Sequence, residues 1–332
     1  AGGLLTEYAS WRWVMFINAP MAAVTLAITW RAVAADAPRA RRGRPDVLGA
    51  VLVTAGMTTL VFGIVNTDRY SWASPLTAVT LTVAAVLLAA FILIERTTAR
   101  EPMLRLGLFA NRSVAGANAY NLLLGGALAS AFYFGSPYLQ RVLGTGAAVT
   151  GLEFLPFALG VVAGSMLAIK LGYRLAPRTL LIVGGLLTAI GFAWFGLIDA
   201  DGTFVADVLG PSIVASIGFG LCLGPVVSTA TVGVAEHETG TASGLLNSSR
   251  QIGASLGLAA LGTAAQQRTG QSVTLESLND GYALGLTLCA ALLVGAVVIA
   301  LTVLPRKRPT APAGQTEPDG RVPTAAVEPV RG

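Results

Sequence analysis

The sequence has 332 residues, of which 54% are hydrophobic and only 12% are charged, and its mean hydropathy is +0.69. Because soluble domains carry about 25% charged residues, this composition excludes an ordinary soluble protein and indicates a polytopic membrane protein. The net charge of +5 requires no nucleic-acid partner, since the basic residues cluster between apolar segments. Both cysteines, Cys222 and Cys289, fall inside apolar segments, which favours buried, reduced thiols over a disulfide or a metal site.

Nine segments are long and apolar enough to span a bilayer, each close to or above the roughly 20 residues that a spanning helix needs. We predict helices, because lipid offers backbone groups no hydrogen-bond partners and no strand-like alternation competes. The predicted fold class is therefore an all-α polytopic membrane protein. The predicted spans are 12–30, 47–65, 75–95, 114–138, 150–170, 178–198, 207–233, 242–265 and 281–304.

Basic residues concentrate in alternate loops, as the positive-inside rule requires. The first residues are therefore predicted to lie outside and the C-terminus in the cytoplasm, with 305–332 as a disordered cytoplasmic tail. The loop 235–240 departs from the pattern, because it should be cytoplasmic but holds Glu236, His237 and Glu238 and no Lys or Arg. The basic residues of the predicted cytoplasmic loops and tail are Arg31, Arg39, Arg41, Arg42, Arg44, Arg96, Arg100, Arg105, Arg112, Lys170, Arg174, Arg178, Arg306, Lys307 and Arg308.

The segment 241–263 places one charge, Arg250, inside a predicted span. At about 1.5 Å per residue, Arg250 lies roughly 13 Å from the start of this segment, near the middle of a hydrocarbon core about 30 Å thick. A guanidinium there is costly unless it is paired, hydrated or able to snorkel. Two interpretations follow: Arg250 faces a water-filled cavity inside a bundle, or it lies at the cytoplasmic end of its helix and snorkels to headgroups.

The neighbours of Arg250 at helical spacing suggest three faces on this helix. The face shared with Arg250 is polar or small, and the opposite face is apolar and suits lipid or packed helices. Gly253 and Gly257 lie between them, where another helix could approach closely. The polar face comprises Ser243, Asn247, Gln251, Ala254 and Ser255, and the apolar face comprises Leu245, Ile252 and Leu256.

Three stretches carry recognisable motifs. The first stretch, residues 1–20, reads AGGLLTEYASWRWVMFINAP, and the second, residues 239–259, reads TGTASGLLNSSRQIGASLGLA. The third stretch, residues 151–160, reads GLEFLPFALG, and the basic loop LGYRLAPR comes after it at residues 171–178. Together they resemble the major facilitator superfamily, in particular its fourteen-span drug:proton antiporter branch. The residues to which the resemblance gives a structural role are Trp11, Arg12, Trp13, Asn18 and Pro20 of the first stretch, Gly253 and Gly257 of the second, and Gly224 and Pro225 outside the three stretches.

The resemblance implies a domain organisation of the major-facilitator type. Residues 1–30 would end an N-terminal bundle, 31–113 would form two inserted linker helices with basic cytoplasmic loops, and 114–304 would form a six-helix C-terminal bundle. The tail would follow at 305–332. Because the chain begins in the middle of a motif, we expect it to be a fragment that lacks roughly the first five helices, which would be partners from the same protein.

Polar residues in predicted spans are the candidates for substrate contact, since transporters of this kind bind substrates near mid-membrane between two domains. By resemblance, the fourth, fifth, seventh and eighth spans would line the cavity. An amide in lipid is costly unless it is bonded, so each candidate either faces the cavity or makes a structural hydrogen bond between helices. The candidates are Asn118, Tyr120, Asn121, Tyr133, Asn247, Arg250 and Gln251, with aromatic surface from Phe132 and Phe134.

Glu153 is the acid best placed to enter a span from the outer side and is the proton-coupling candidate. It could instead lie at the wet interface as a charge near a helix N-terminus. The sequence contains no G-x-x-x-x-G-K-[ST] loop, no metal-binding cluster and no nucleophile with a plausible base. We therefore predict no cofactor, no metal site and no enzymatic activity.

The function predicted on this basis is secondary active transport across the cell membrane. The expected activity is proton-coupled efflux of drugs or other small amphipathic compounds. Two alternatives stay open: a narrow exporter for one metabolite, and a non-transporting membrane partner or truncated product.

Overall fold

The computed structural model describes residues 2–32, 46–68, 70, 74–97, 106–235, 238–270 and 274–306. Throughout these residues the regular structure is helical and no strand occurs, which confirms the predicted all-α class for this part of the chain. The helices are α1 (Gly2–Tyr8), α2 (Trp11–Phe16), α3 (Asn18–Ala32), α4 (Val47–Val65), α5 (Pro75–Thr97), α6 (Arg112–Pro137), α7 (Ala147–Glu153), α8 (Leu155–Gly172), α9 (Pro177–Phe195), α10 (Gly210–Ala230), α11 (Thr239–Thr269) and α12 (Leu275–Thr302).

Several predictions concern residues outside the described ranges. They include the disordered tail beyond Arg306 and most of the basic loop between the first two spans. The individual residues outside the described ranges are Arg39, Arg41, Arg42, Arg44, Arg100, Arg105, Glu236, His237, Lys307 and Arg308.

Eight helical segments of the described chain are long and apolar enough to cross a membrane, so the protein is a multi-pass membrane protein. The ninth predicted span, 242–265, lies within α11, which is long enough to cross but too polar to be counted by apolarity alone. Its amides, hydroxyls and Arg250 lower the hydropathy of an otherwise spanning helix. The eight segments are Trp11–Ala32, Val47–Val65, Pro75–Thr97, Arg112–Val142, Ala147–Gly172, Pro177–Phe195, Phe204–Ala230 and Leu275–Thr302.

Two of these segments contain irregular turns. π-Helical turns extend α6 over Tyr138–Val142 and precede α10 over Phe204–Leu209. The predicted span 150–170 is interrupted at Phe154, where α7 ends and α8 begins. Pro156 therefore lies in the first turn of α8, where its missing N–H costs nothing, rather than bending a continuous helix.

The helices from α6 onwards form one bundle. α6 packs against α10, α11 and α12, α10 packs against α8 and α9, and α12 also contacts α9 and α11. The bundle core contains fully buried aromatic residues, among them Tyr120, Phe134, Tyr138 and Phe192. Outside it, α4 and α5 pack together as a hairpin, and α4 also contacts α11. We call this pair the α4–α5 hairpin.

Side-chain caps define where several helices begin. Asp46 Oδ1 accepts from Gly49 N at 2.8 Å at the start of α4, which satisfies a free backbone N–H of the first turn. Asn111 caps α6 by accepting from Ser113 N at 2.9 Å. Its Nδ2 also donates to Val232 O at 2.8 Å, so the start of α6 is tied to the segment that follows α10.

Arg178 joins α9 to the end of α12. Its Nε donates to Ala300 O at 2.9 Å and its Nη2 donates to Leu301 O at 2.7 Å. These carbonyl groups belong to the last turn of α12, where a cation is favoured by the helix dipole. The start of α9 and the end of α12 therefore lie at the same end of the bundle.

Candidate functional site

Glycine residues lie at the point where α6 crosses α11. A Cβ atom added at Gly126 would lie 2.8 Å from the carbonyl oxygen of Gly253, and one at Gly257 would lie 2.6 Å from Gly126 Cα. A Cβ atom at Gly253 would collide with the carbonyl oxygen of Leu122. The two backbones approach so closely that only glycine fits at these positions. The G-x-x-x-G pair of α11 is therefore placed directly against α6.

Arg250 lies well inside α11, about 16 Å along the axis from Thr239. Its side chain is exposed, and its Nη2 donates to Asn247 Oδ1 at 3.0 Å. A Cβ atom at Gly125 would lie 2.9 Å from Arg250 Cγ, so the aliphatic stem runs along α6. The helix itself thus places the guanidinium away from its ends and beside the glycine crossing.

Asn118 and Asn121 lie on α6 and make different contacts. Asn121 is buried, and its Nδ2 donates to Leu246 O of α11 at 2.7 Å. Asn118 is also buried, but its Nδ2 donates to Val114 O of its own helix at 2.8 Å. The Oδ1 atom of Asn118 has no hydrogen-bond partner among the described residues. Asn121 therefore joins two helices, whereas Asn118 keeps an unused acceptor.

The two tyrosine candidates, Tyr120 and Tyr133, lie in different environments. Tyr120 is fully buried, and its hydroxyl donates to Leu181 O at 2.8 Å and lies 3.1 Å from Cys222 Sγ. It bridges α6 to α9 and α10 inside the core, because the helical twist turns it away from Asn118 and Asn121. Tyr133 is 51% exposed and lies further along α6.

A groove of about 950 Å³ lies between the α4–α5 hairpin and the α6–α11 pair. Asn118 lines it from α6, and Asn247, Ser248 and Gln251 line it from α11. Leu245 and Ile252, which we predicted to face lipid or packed helices, line it as well. The reason is that the α4–α5 hairpin covers a broad sector of α11. The lining is therefore mixed in polarity, and it contains three of the seven substrate candidates: Asn118, Asn247 and Gln251.

A second cavity of about 380 Å³ follows further along α4 and α11. Val61 and Val65 line it from α4, Ser255 and Gln266 line it from α11, and Tyr133 lines it from α6. Tyr133 is thus placed beside this cavity rather than in the groove. The two spaces lie in sequence along the same pair of helices.

The two phenylalanines that were predicted to give α6 an aromatic surface, Phe132 and Phe134, also lie in different environments. Phe134 is buried in the bundle core, with its ring 5.4 Å from that of Tyr133. Phe132 is 40% exposed and packs against the rings of Phe154 and Phe157, at centroid distances of 5.3 and 5.1 Å. Only Phe132 therefore presents its ring at a surface, next to the junction of α7 and α8.

Glu153 ends α7 at this same junction. It is half-buried, and its Oε2 accepts a hydrogen bond from Thr145 Oγ1 at 3.4 Å. Thr145 Oγ1 also lies 3.0 Å from Thr150 Oγ1, so the carboxyl group belongs to a small polar cluster. This cluster is at the beginning of the α7–α8 segment, away from the groove.

The residues of the first motif surround the junction of α2 and α3. The Arg12 guanidinium lies 5.4 Å from the Trp11 ring centroid, and the rings of Trp13 and Phe16 meet edge to face at 6.2 Å. Asn18 begins α3 and donates from Nδ2 to Val14 O at 3.2 Å, and Pro20 follows in the first turn, where proline is tolerated. None of the residues of α1, α2 or α3 is buried.

The two residues of α10 with an expected structural role, Gly224 and Pro225, differ in their surroundings. α10 continues through Pro225, which is buried. Gly220 packs tightly on α8, since a Cβ atom there would lie 2.9 Å from Gly164 Cα. For Gly224, which was assigned a structural role, an added Cβ would meet no described atom within 4 Å. Gly224 lies about one turn beyond Gly220 on the same face of α10, at a level where no described neighbour is close enough to touch an added Cβ.

Glu7 was not identified from the sequence. Its Oε2 accepts from Ala148 N at 2.5 Å, in the first turn of α7. Gly3 of the same helix packs on Gly151, where an added Cβ would lie 3.2 Å from Gly151 Cα. α1 is thereby attached to the start of α7. The available signal was an acid inside an otherwise apolar motif, but its partner lies 141 residues away in the sequence.

In the described part of the chain, no group of three or more His, Cys, Asp or Glu residues could hold a metal ion. Cys222 and Cys289 are free and buried.

Comparisons with known proteins give consistent matches. The sequence profile of the Major Facilitator Superfamily matches residues 1–258. The chain is 35% identical over 318 residues to a cephamycin export protein of Amycolatopsis lactamdurans, which covers 94% of this chain and 64% of that protein. It is 32% identical over 316 residues to a puromycin resistance protein of Streptomyces alboniger, with 92% and 62% covered. A multidrug resistance protein of Mycobacterium tuberculosis is 32% identical over 262 residues, with 79% and 48% covered. The chain thus spans less than two thirds of the length of these relatives.

Proposed function

Because the chain belongs to the Major Facilitator Superfamily, as its motifs predicted, we propose that the protein is a secondary active transporter that exports small amphipathic compounds. The proposal makes it a transporter rather than an enzyme. Export and drug resistance are the activities named for the relatives that match this chain over most of its length.

The groove beside α6 and α11 is the observation that carries the proposal. Its volume of about 950 Å³ suits a drug-sized molecule. Most of its amides and hydroxyls lie on the α6–α11 side, next to apolar residues such as Leu245 and Ile252, and the hairpin side is apolar except for Thr54. An amphipathic compound needs both kinds of contact, because its apolar part gains from burial and its polar part must keep hydrogen bonds.

Arg250 is assigned to the translocation route next to this groove. The proposed route includes a facing helical bundle of the same protein, on the side of α11 from which the Arg250 side chain emerges. Water and partner dipoles along the route would offset the cost of a guanidinium at this depth. Asn247 already provides one such dipole.

Proton coupling is assigned to Glu153. Its half-buried position at the α7–α8 junction and its hydrogen bond with Thr145 suit a carboxyl group that exchanges a proton with a restricted supply of water. The alternating charge of the loops supports an orientation with the C-terminus in the cytoplasm. In this orientation the α7–α8 junction lies towards the outer face.

A narrow exporter of one metabolite is the second candidate. Two of the relatives are named for a single antibiotic, a cephamycin and puromycin, whereas a third is named for multidrug resistance. The two candidates share a mechanism and differ in the range of compounds that the site accepts.

Reconstitution of the full-length protein in proteoliposomes tests both candidates. An imposed pH gradient should drive transport of at least one of puromycin, cephamycin C and ethidium, and a protonophore should abolish this transport. Transport of all three would establish the broad exporter, and transport of one antibiotic alone would establish the narrow one. Transport that continues unchanged after the gradient is collapsed would refute proton coupling.

A further inference from the structure

The α4–α5 hairpin contributes residues to the groove, although it lies outside the bundle that begins at α6. Val53, Thr54 and Met57 line the groove from α4, and Phe91 lines it from α5. Phe91 is only 8% exposed, so the hairpin places a large apolar ring next to the groove rather than towards lipid. Val51, two residues before Val53, is 58% exposed and does not line the groove. The hairpin therefore has a groove-facing side and an outward side.

The opposite wall, from α6 and α11, carries hydrogen-bonding groups. Asn247, Ser248 and Gln251 present amides and a hydroxyl to the groove. Asn118 also lines this wall, and its carbonyl oxygen is buried and has no hydrogen-bond partner among the described residues. A buried acceptor of this kind is unfavourable unless something donates to it. A bound molecule with an N–H or O–H group would meet this requirement once a rotation of the Asn118 side chain opens the oxygen to the groove.

The second cavity extends the arrangement along the same helices. α4 lines the groove at Val53 and Met57 and the second cavity at Val61 and Val65. These four positions are separated by about one helical turn each, so one side of α4 borders both spaces. The α4–α5 hairpin thus borders both the groove and the second cavity, which follow one another along α11.

We propose that the α4–α5 hairpin is the apolar wall of a substrate-binding groove, and that Asn118 selects amphipathic compounds that carry a hydrogen-bond donor. This inference rests on the proposed export function, because it assigns the groove to the exported compound. The hairpin holds the apolar part of the compound at Val53, Met57 and Phe91. The α6–α11 wall holds the polar part, with the Asn118 carbonyl oxygen accepting its N–H or O–H.

Two fluorescent probes of nearly equal size test the donor requirement. 1-Aminoanthracene carries an N–H₂ donor, and 1-methylanthracene does not. The purified full-length protein in nanodiscs should bind 1-aminoanthracene several-fold more tightly, up to about tenfold, as expected for one buried hydrogen bond. Asn118→Leu should remove this preference and leave the affinity for 1-methylanthracene within about twofold. Retention of the preference in the variant would overturn the role of Asn118.

A matched pair of valines tests the hairpin wall. Val53→Trp fills the groove and should weaken the binding of both probes by about tenfold or more, whereas Val51→Trp adds the same ring on the outward side and should change neither affinity. Equal effects of the two substitutions would overturn the proposal. If Val53→Trp fails to fold, Met57→Cys replaces it, and bound 1-aminoanthracene should then protect Cys at position 57 from a maleimide. Absence of protection would also overturn the proposal.

Transport measured in parallel separates this inference from the function on which it rests. If the wild-type protein transports 1-aminoanthracene while Val53→Trp binds and transports it normally, the groove assignment fails and the export function stands. If the wild-type protein binds the probe in the groove but transports none of the compounds tested, the export function fails. In that case the groove would be a ligand site of another kind.

Discussion

The side-chain amide of Asn121 in α6 donates to the carbonyl oxygen of Leu246 in α11 across 2.7 Å, and both residues are buried. This bond lies at the same crossing as the glycine contacts of Gly126 with Gly253. Close approach of the backbones lets a short side chain reach across, and the hydrogen bond then fixes the register of the two helices. Within a membrane such bonds contribute modestly, because the separated helices also find polar partners.

Asn121→Leu should lower the free energy of unfolding by about 1 kcal/mol, since it removes the bond to Leu246 while keeping the side-chain volume. The measurement is SDS-induced unfolding in mixed micelles, followed by circular dichroism. Asn118→Leu is the matched control and should cause a smaller loss, because it removes no bond between helices: its amide donates only to Val114 O of the same helix, and its buried carbonyl oxygen lacks a partner among the described residues. Equal losses in the two variants would show that the interhelical bond contributes nothing specific.

Gly257→Ala should separate α6 from α11. The added Cβ would lie 2.6 Å from Gly126 Cα, and backbone atoms cannot move aside as a flexible side chain can. We expect a loss of about 1–3 kcal/mol in the same unfolding assay, as for other overpacked contacts. Gly262→Ala is the control on the same helix, where no described atom lies within 4 Å of the new Cβ. It should be neutral or slightly stabilising, because alanine is the better helix former.

Arg250→Ala should abolish export by the full-length protein while its abundance in the membrane stays unchanged. The guanidinium is exposed and bonded to Asn247, so its removal leaves no tightly packed cavity. Arg268→Ala is the matched control: this arginine lies in the last turn of the same helix, pairs with Asp280 at 2.9 Å and is solvent-exposed. Exposed pairs of this kind contribute little. Unchanged efflux in Arg250→Ala would remove Arg250 from the transport route.

Glu7→Ala should loosen the contact between α1 and α7. The carboxylate accepts from Ala148 N, and an acceptor at a helix N-terminus stabilises that helix by about 0.5–2 kcal/mol. In a background with Ala148→Cys, which places a thiol at this buried position, the rate of maleimide labelling should rise several-fold when Glu7 is replaced. Glu276→Ala, in the first turn of α12, removes an acid elsewhere and should leave the labelling rate unchanged.

Local chemistry was sufficient to predict the helices, the membrane environment and the family. A run of about 20 apolar residues can satisfy its backbone in lipid only as a helix, so 47–65 and 75–95 needed no knowledge of their neighbours. In the structure the two helices run over Val47–Val65 and Pro75–Thr97, in close agreement with the predicted spans. The polar segment around Arg250 was assigned from helical spacing and is indeed a helix, α11.

Only the tertiary structure decided which side of each helix faces a groove, a core or the outside. Periodicity places Asn118 and Asn121 on one face of α6, but it does not say that one lines a groove and the other bonds to α11. Nor does it place Tyr120 against Leu181, or Met57 and Phe91 in a shared wall. The physical reason is that lipid and a packed helix are equally apolar neighbours. An apolar face in the sequence therefore predicts that this face avoids water, but whether it contacts lipid or another helix depends on how the helices pack.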